Sequence, residues 1–296
     1  METFKRKIWE KFKAWKEESD GHTALLVEGA RRIGKSTAVE EFAKKEYETY
    51  ILIDFAFASQ NIKNLFNDLS DLDHFFRMLQ YYTGKELIER KSLIIFDEVQ
   101  LFPLARQAIK LLVKDHRYDY METGSLLSIK ENVKDILIPS EERAIQMYPM
   151  DYEEFCWAIG QTNSFELGRT IWQEKKSLGD DINRDLMKKF RLYMIVGGMP
   201  QSIEAFIKTN NFSKVDLVKR DILKLYENDF MKFDSSGRSS LIFDHIPAEL
   251  QKNASRYQIS SVIENARAGT MLERVAKLQD SKTVNIAYHA NAPEAG

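Results

Sequence analysis

Residues 27–37 of the chain read "VEGARRIGKST". Gly29 and Gly34 stand five apart, directly before Lys35 and Ser36, which is the spacing G-x-x-x-x-G-K-[ST]. An apolar run precedes this stretch and a helical pattern follows it. Glycines at these places let backbone N–H groups wrap around a phosphate, and the following helix N-terminus adds partial positive charge. The sequence therefore predicts a phosphate-binding loop, with a tight basic turn as the alternative.

The residues inside the loop have separate expected roles. Lys35 is predicted to reach the terminal phosphates, Ser36 to place its hydroxyl on a magnesium ion, and Thr37 to line the nucleotide. Arg31 and Arg32 could contact phosphate or a neighbouring subunit, and solvated positions suit them equally well. The predicted nucleotide-binding residues are Gly29, Ala30, Arg31, Arg32, Ile33, Gly34, Lys35, Ser36 and Thr37.

A second motif, "LIIFDEVQ", ends an apolar run with two neighbouring acidic residues. Asp97 is predicted to hold the magnesium ion, and Glu98 to polarise an attacking water. The glutamate favours hydrolysis over phosphoryl transfer to a small acceptor. A solvated loop is the alternative explanation for such a pair, and the phosphate-binding loop makes it the weaker one.

Three further residues are candidates for the chemistry. Thr123 and Ser125, in "METGSLLS", stand where a polar group could orient the attacking water or sense the γ-phosphate, with Thr123 favoured. Arg143 is a candidate arginine finger, acting within the chain or across a subunit contact, because the transition state needs a cation besides Lys35. A surface salt bridge is the more ordinary use of Arg143.

The hydrophobic pattern predicts an α/β fold with about five buried parallel strands and helical crossovers. The strand patterns begin at Thr23, Tyr50, Ser92, Tyr118 and Arg143. After residue 150 the patterns are helical, and Gly197 and Gly198 divide them with a sharp turn or a hinge. A linker is predicted at 234–240. Three helical patterns and a strand pattern at 282–290 then suggest a winged-helix-like segment.

Composition and charge restrict the possible partners. The 296 residues carry a formal net charge of −2, so charge does not favour nucleic acid. From residue 238 onward, seven Lys and Arg stand against six Asp and Glu, which favours a protein contact over DNA. No apolar run is long enough to span a membrane. The single cysteine, Cys156, is expected to be a buried small apolar residue in a cytoplasmic protein.

Four segments are predicted along the chain. Residues 1–20 form a basic amphipathic helix, which is expected to dock its aromatic stripe on the following domain rather than on a membrane. Residues 21–160 form the phosphate-binding core and 161–235 a helical lid. Residues 236–296 form the winged-helix-like segment.

The motifs "EGARRIGKST", "IIFDEVQ", "ETGSLLS", "YPMDYEEF" and "GGMP", in this order, resemble those of bacterial and archaeal P-loop ATPases of the AAA type. The resemblance covers nearly the whole chain. It implies a P-loop NTPase core with strand order 5-1-4-3-2, a helical lid and a winged-helix-like segment. A C-terminal domain with a restriction-endonuclease-like fold commonly follows in that family, and the chain is expected to be truncated before it.

The sequence as a whole predicts a magnesium-dependent ATPase whose nucleotide state is coupled to the lid and the C-terminal segment. ATP is favoured over GTP because no guanine-reading motif follows the fourth strand. Two alternatives remain open: a slow or non-hydrolysing switch that binds a protein partner, and an ATPase that responds to DNA. An oligomer is compatible with either.

Overall fold

The computed structural model describes residues 3–125, 140–162, 164–252, 257, 262 and 268–287. Contacts divide the chain into two compact units, Met1–Lys219 and Arg220–Gly296. The predicted division into four segments stays a prediction.

A five-stranded, all-parallel sheet forms the centre of the first unit, in the order β2-β3-β4-β1-β5. This is the predicted order, read from the opposite edge. Helices cover both faces, so β3 and β4 are buried along their whole length. The strands are β1 (Ala24–Glu28), β2 (Thr49–Asp54), β3 (Ser92–Asp97), β4 (Asp119–Gly124) and β5 (Glu142–Gln146).

The first helix docks on the core, as the amphipathic pattern predicted. Phe12 and Trp15 are buried, and the ring of Phe12 packs edge-on against Phe42. The indole of Trp9 donates a hydrogen bond to the carbonyl of Ala38, 3.1 Å away. The helices associated with the sheet are α1 (Ile8–Ser19), α2 (Lys35–Glu46), α3 (Gln60–Leu65), α4 (Leu72–Thr83) and α5 (Pro103–Asp115).

The chain after β5 is helical, as predicted. Val196 ends one helix and Pro200 begins the next, so the two glycines between them separate α8 from α9. These helices are α6 (Tyr152–Ala158), α7 (Ser164–Gln173), α8 (Asp180–Val196), α9 (Pro200–Thr209) and α10 (Phe212–Phe233). Cys156 lies fully buried among their apolar side chains, as expected. None of the described helices is long and apolar enough to cross a membrane.

The second unit contains α11 (Arg238–Asp244), α12 (Ile246–Gln251) and α13 (Ala268–Asp280). Within 282–287 the described backbone forms no strand, which contradicts the strand predicted there. Residues 288–290 of that pattern lie outside the described residues, as do 258–261 and 263–267 of the second helical pattern. The winged-helix-like segment stays a prediction.

The predicted linker begins with a turn that is organised by one carboxylate. Asp234 accepts hydrogen bonds from the amide and hydroxyl of Ser239, at 2.9 and 2.7 Å, and from Nε of Arg274 at 3.0 Å. Burial raises the pKa of the Asp234 carboxyl, but the hydrogen bonds from Ser236, Ser239 and Arg274 outweigh burial and hold the pKa well below its ordinary value.

We expect Asp234→Asn to destabilise α11 and α13 by about 1–3 kcal/mol, because charge-assisted hydrogen bonds are lost. The pKa is depressed in the folded state, so this stability is present above the unfolded pKa of about 3.9 and is lost as the pH falls through the folded value. Amide hydrogen exchange of α11 and α13 at neutral pH measures the expected loss of stability in Asp234→Asn. The control is Asp244→Asn, and equal protection in both variants would contradict the prediction.

Candidate active site

The phosphate-binding loop runs from the end of β1 to the start of α2. At Gly29 an added Cβ would lie 2.4 Å from the carbonyl oxygen of Met147 and 2.6 Å from Cδ1 of Ile33, so no side chain fits. Gly34 precedes α2 with φ of 89°, in the left-handed region that favours glycine. Both glycines of the motif therefore have a backbone reason to be there.

The lysine of the motif points back into the loop. Its side chain is buried, and Nζ donates to the carbonyl oxygens of Gly29 at 3.1 Å and Ala30 at 2.9 Å. The ammonium group of Lys35 is therefore held where the loop closes on itself. A phosphate in this loop would exchange those weak carbonyl partners for charged oxygens.

A hydroxyl and a carboxylate meet beneath the loop. Ser36 Oγ, in the first turn of α2, donates to Asp97 Oδ1 at the end of β3, with 2.7 Å between the atoms. The same Asp97 oxygen accepts a hydrogen bond from the Thr123 hydroxyl on β4. Parallel strands bring these residues to one edge of the sheet, although they are far apart in the chain. Hydroxyl and carboxylate oxygens are the ligands that magnesium prefers, so this donor set fits that ion.

Glu98 follows directly in a left-handed conformation, with φ of 54°. This conformation is costly for a residue with a Cβ, and it turns the chain sharply into the 3₁₀ turn Val99–Leu101. The Glu98 amide points to Thr123 Oγ1, 3.4 Å away. The side-chain amide of Gln100 donates to the Glu98 carboxylate. Glu98 is thereby held at the same sheet edge as Asp97.

The other loop residues differ in exposure. Ala30 and Ile33 are buried, Arg31, Ser36 and Thr37 are half-buried, and Arg32 is exposed with φ of 67°. Ser125 is half-buried directly after β4. The structure thus groups Lys35, Ser36, Asp97, Glu98 and Thr123, and it places Ser125 next to that group in the chain.

Arg143 lies elsewhere. It is the second residue of β5, at the end of the sheet opposite to the loop, and it pairs with Leu25 of β1. Its exposed guanidinium forms a salt bridge of 2.6 Å with Glu18 of α1. Within the chain Arg143 therefore makes the surface salt bridge that was the more ordinary alternative, and its position does not favour an arginine finger acting in its own site.

Two groups of buried charges were not predicted. Arg6 lies against the phosphate-binding loop and hydrogen-bonds Glu154 of α6. Arg106 of α5 forms a bidentate pair with Glu142, beside the fully buried Glu122. Asp151 and Glu154 stand three apart in "MDYEEF", a capping-box spacing that could have signalled the start of α6. The other residues have no local signal.

Comparisons with known proteins support the P-loop fold. A Walker-type ATPase of Pyrococcus abyssi aligns with 94% of this chain and 90% of its own, at 15% identity and a TM-score of 0.52. A second similar structure is RuvB, the Holliday junction branch migration motor of Thermotoga maritima. It aligns with 94% of this chain and 88% of its own, at 11% identity and a TM-score of 0.40. Aeropyrum pernix Orc1 in complex with DNA aligns with 95% of this chain and 84% of its own, at 10% identity and a TM-score of 0.38.

Two family models match separate parts of the chain. Residues 187–295 match a domain of unknown function, DUF8612. No curated protein matches the sequence significantly. Residues 21–156, which contain the whole sheet and every residue of the loop, match the model of an AAA domain. The chain therefore contains an AAA domain, at residues 21–156.

Proposed function

We propose that the protein binds ATP with magnesium and hydrolyses it. The observation that carries this proposal is the 2.7 Å contact between Ser36 Oγ and Asp97 Oδ1, beneath a loop whose lysine is buried. A hydroxyl that follows the lysine and a carboxylate at the end of β3 form the oxygen pair that a nucleotide-bound magnesium ion needs. Magnesium, when bound, neutralises charge on the phosphate oxygens.

The residues of the chain have definite roles in this proposal. The loop amides and Lys35 bind the phosphates, and Lys35 leaves the Gly29 and Ala30 carbonyls to do so. Glu98 accepts a proton as water attacks the γ-phosphorus. The new P–O bond forms as the β–γ anhydride bond breaks, and ADP leaves. Thr123, which hydrogen-bonds Asp97 and Glu98, is the first candidate for orienting the water, and Ser125 is the second.

The proposal includes coupling between nucleotide state and the helices after β5. Pro200, at the start of α9, has its Cγ 3.5 Å from the place where a Cβ of Gly34 would lie. The Met150 amide donates to the carbonyl of Gly198 at 2.7 Å, and no side chain fits at Gly198. A movement of the loop would therefore reach α9 directly, which supports a hinge at Gly197 and Gly198.

Equilibrium binding of ATP tests the proposal. We expect Lys35→Ala to raise the Kd for ATP by at least about tenfold, because a charge-assisted contact worth about 1.5–3 kcal/mol is lost. Asp97→Asn should remove most of the difference between binding in magnesium and in EDTA. Isothermal titration calorimetry measures both effects.

The matched control is Lys44→Ala, which removes an exposed lysine from the other end of α2. It should bind ATP like the unchanged chain. Equal affinities of the Lys35 and Lys44 variants would contradict the proposal. The slow switch stays the alternative function, and the Glu98 variant described in the Discussion separates it from the ATPase.

A further inference from the structure

A buried arginine ahead of α1 contacts the phosphate-binding loop. Arg6 is only 7% exposed, although it is the sixth residue of the chain. Its Nη1 donates to the carbonyl oxygen of Ile33 at 2.8 Å, and its Nη2 to the carbonyl oxygen of Tyr148 at 2.6 Å. Its Nε donates to Glu154 Oε1 at 3.2 Å. One guanidinium thus joins the loop, the segment after β5 and helix α6.

The carboxylate that holds Arg6 is itself fixed from other directions. Glu154 Oε2 accepts from the Asp151 amide at 3.1 Å, and Oε1 accepts from the Lys7 amide at 2.6 Å. Asp151 in turn accepts from the Glu154 amide at 2.9 Å, which completes the capping box of α6. The rotamer of Glu154 is therefore determined by backbone groups, and it holds the guanidinium in one place. This gives a physical role to the motif "YPMDYEEF".

The contact with Ile33 orients one peptide of the loop. A trans peptide is planar, so the carbonyl of Ile33 and the N–H of Gly34 point in opposite directions. When Arg6 holds the carbonyl, it also determines where the Gly34 N–H points, which is away from the guanidinium. Gly34 lies in the left-handed region with φ of 89°, and because it has no Cβ its backbone can also adopt other conformations. Without an external partner for Ile33, this peptide could turn over at little cost.

Stability alone does not require a charge at this place. Replacing a buried ion pair with apolar side chains of similar volume is often neutral or stabilising, so a buried Arg–Glu pair is weak evidence for a stabilising role. The fork of the guanidinium supplies what an apolar side chain lacks, namely donors in fixed directions.

We propose that Arg6 is a positioning residue of the nucleotide site. It holds the Ile33–Gly34 peptide in the orientation that presents the Gly34 N–H to a phosphate, and Glu154 holds Arg6. This inference rests on the proposed function, since it assumes that the loop binds a nucleotide. It assigns no chemical step to Arg6, so the effect should fall on nucleotide affinity and not on turnover at saturating ATP.

The experiment compares Arg6→Met, Arg6→Lys and Glu154→Gln with the control Lys7→Met in the full chain. Lys7 is adjacent, and its Nζ bridges to Asp151 and Glu153 at 2.6 and 2.7 Å without contacting the loop. We expect Arg6→Met to raise Kd and KM for ATP by about tenfold or more, with kcat within about threefold. Arg6→Lys should not restore affinity, because an ammonium group cannot reach all three partners. Glutamine has one acceptor oxygen where Glu154 uses two, so Glu154→Gln loses either the Asp151 contact or the Arg6 contact. It should show a smaller rise, because Arg6 keeps the Ile33 and Tyr148 carbonyls.

Amide hydrogen exchange of residues 29–36 without nucleotide gives a second readout, with faster exchange expected in Arg6→Met than in Lys7→Met. Equal Kd for these two variants would overturn the inference, and so would unchanged exchange of the loop. If the unchanged chain fails to bind ATP, the proposed function fails, while the exchange comparison still tests the positioning of the peptide. If Arg6→Met does not fold, the Kd for ATP and the loop exchange are compared between Lys7→Met and the variants Arg6→Lys and Glu154→Gln. Equal values would again overturn the inference.

Discussion

Replacing Glu98 by Gln is expected to slow ATP hydrolysis by about 10²- to 10⁴-fold and to leave ATP binding intact. A general base contributes a factor of this size, and an amide of the same shape cannot accept the proton of the attacking water. The left-handed backbone at Glu98 and the hydrogen bond to Thr123 do not depend on the carboxylate, so the site should keep its geometry. The phosphate contacts of the loop are also unaffected by the change.

Steady-state phosphate release, measured together with the Kd for ATP, tests this expectation. The control is Glu89→Gln, the same chemical change at an exposed residue ahead of the opposite end of β3, and it should turn over like the unchanged chain. If the unchanged chain binds ATP but shows turnover as low as that of Glu98→Gln, the protein acts as the slow switch. Undiminished hydrolysis in Glu98→Gln would remove Glu98 from the mechanism.

Replacing Arg106 by Met is expected to lower the free energy of unfolding of the first unit by about 3–5 kcal/mol. Nε and Nη2 of Arg106 donate to the two oxygens of Glu142, at 2.8 and 2.6 Å, and both side chains are buried. Removing one partner of such a pair leaves the other charge buried without compensation. Glu122, fully buried on β4, would then lie near Glu142 without the Arg106 charge that opposes the rise in its pKa.

Glu122, which lies near Arg106 and Glu142, makes the free energy of unfolding depend on pH. Burial raises the pKa of Glu122 well above its ordinary value, the charge of the nearby Glu142 adds to the rise, and Arg106 opposes it. Among the described residues, neither carboxylate oxygen of Glu122 has a hydrogen-bond partner, so no hydrogen bond offsets the cost of burying its charge. A raised folded pKa contributes stability that is full below the unfolded pKa of about 4.3 and is lost as the pH rises. Glu122→Gln should therefore gain stability relative to the unchanged chain between pH 5 and pH 8.

Urea unfolding followed by tryptophan fluorescence measures both variants, since all four tryptophans precede residue 219 and report on the first unit. Lys110→Met is the control for Arg106→Met, because Lys110 is exposed one turn further along α5. Equal midpoints for these two variants would contradict the burial argument. For Glu122→Gln, a difference from the unchanged chain that is the same at pH 5 and pH 8 would show that Glu122 is ionised throughout.

The strands, the loop and the residues at the strand ends were predictable because their signals are local. Buried parallel strands appear as short apolar runs, and the loop motif lies within eight consecutive residues. Asp97, Glu98 and Thr123 were identifiable because the carboxyl ends of parallel strands share one edge of the sheet. The helices after residue 150 followed from their periodicity. The strand predicted at 282–290 is absent from the described part of that pattern, 282–287, because alternation over a few residues does not supply a neighbouring strand with which to pair.

The amino-acid pattern was sufficient to predict the α/β class, the loop and the residues at the strand ends, and the family resemblance supplied the strand order. The pairing of distant charges in the low-dielectric interior became visible only in the folded chain. Arg6 meets Ile33 and Glu154 across 27 and 148 residues, and Arg106 meets Glu142 across 36. The fold also placed Arg143 at the far end of β5, beside Glu18. The reason is physical: a motif is a spacing along the chain, while the partner of a buried charge depends on which elements pack together.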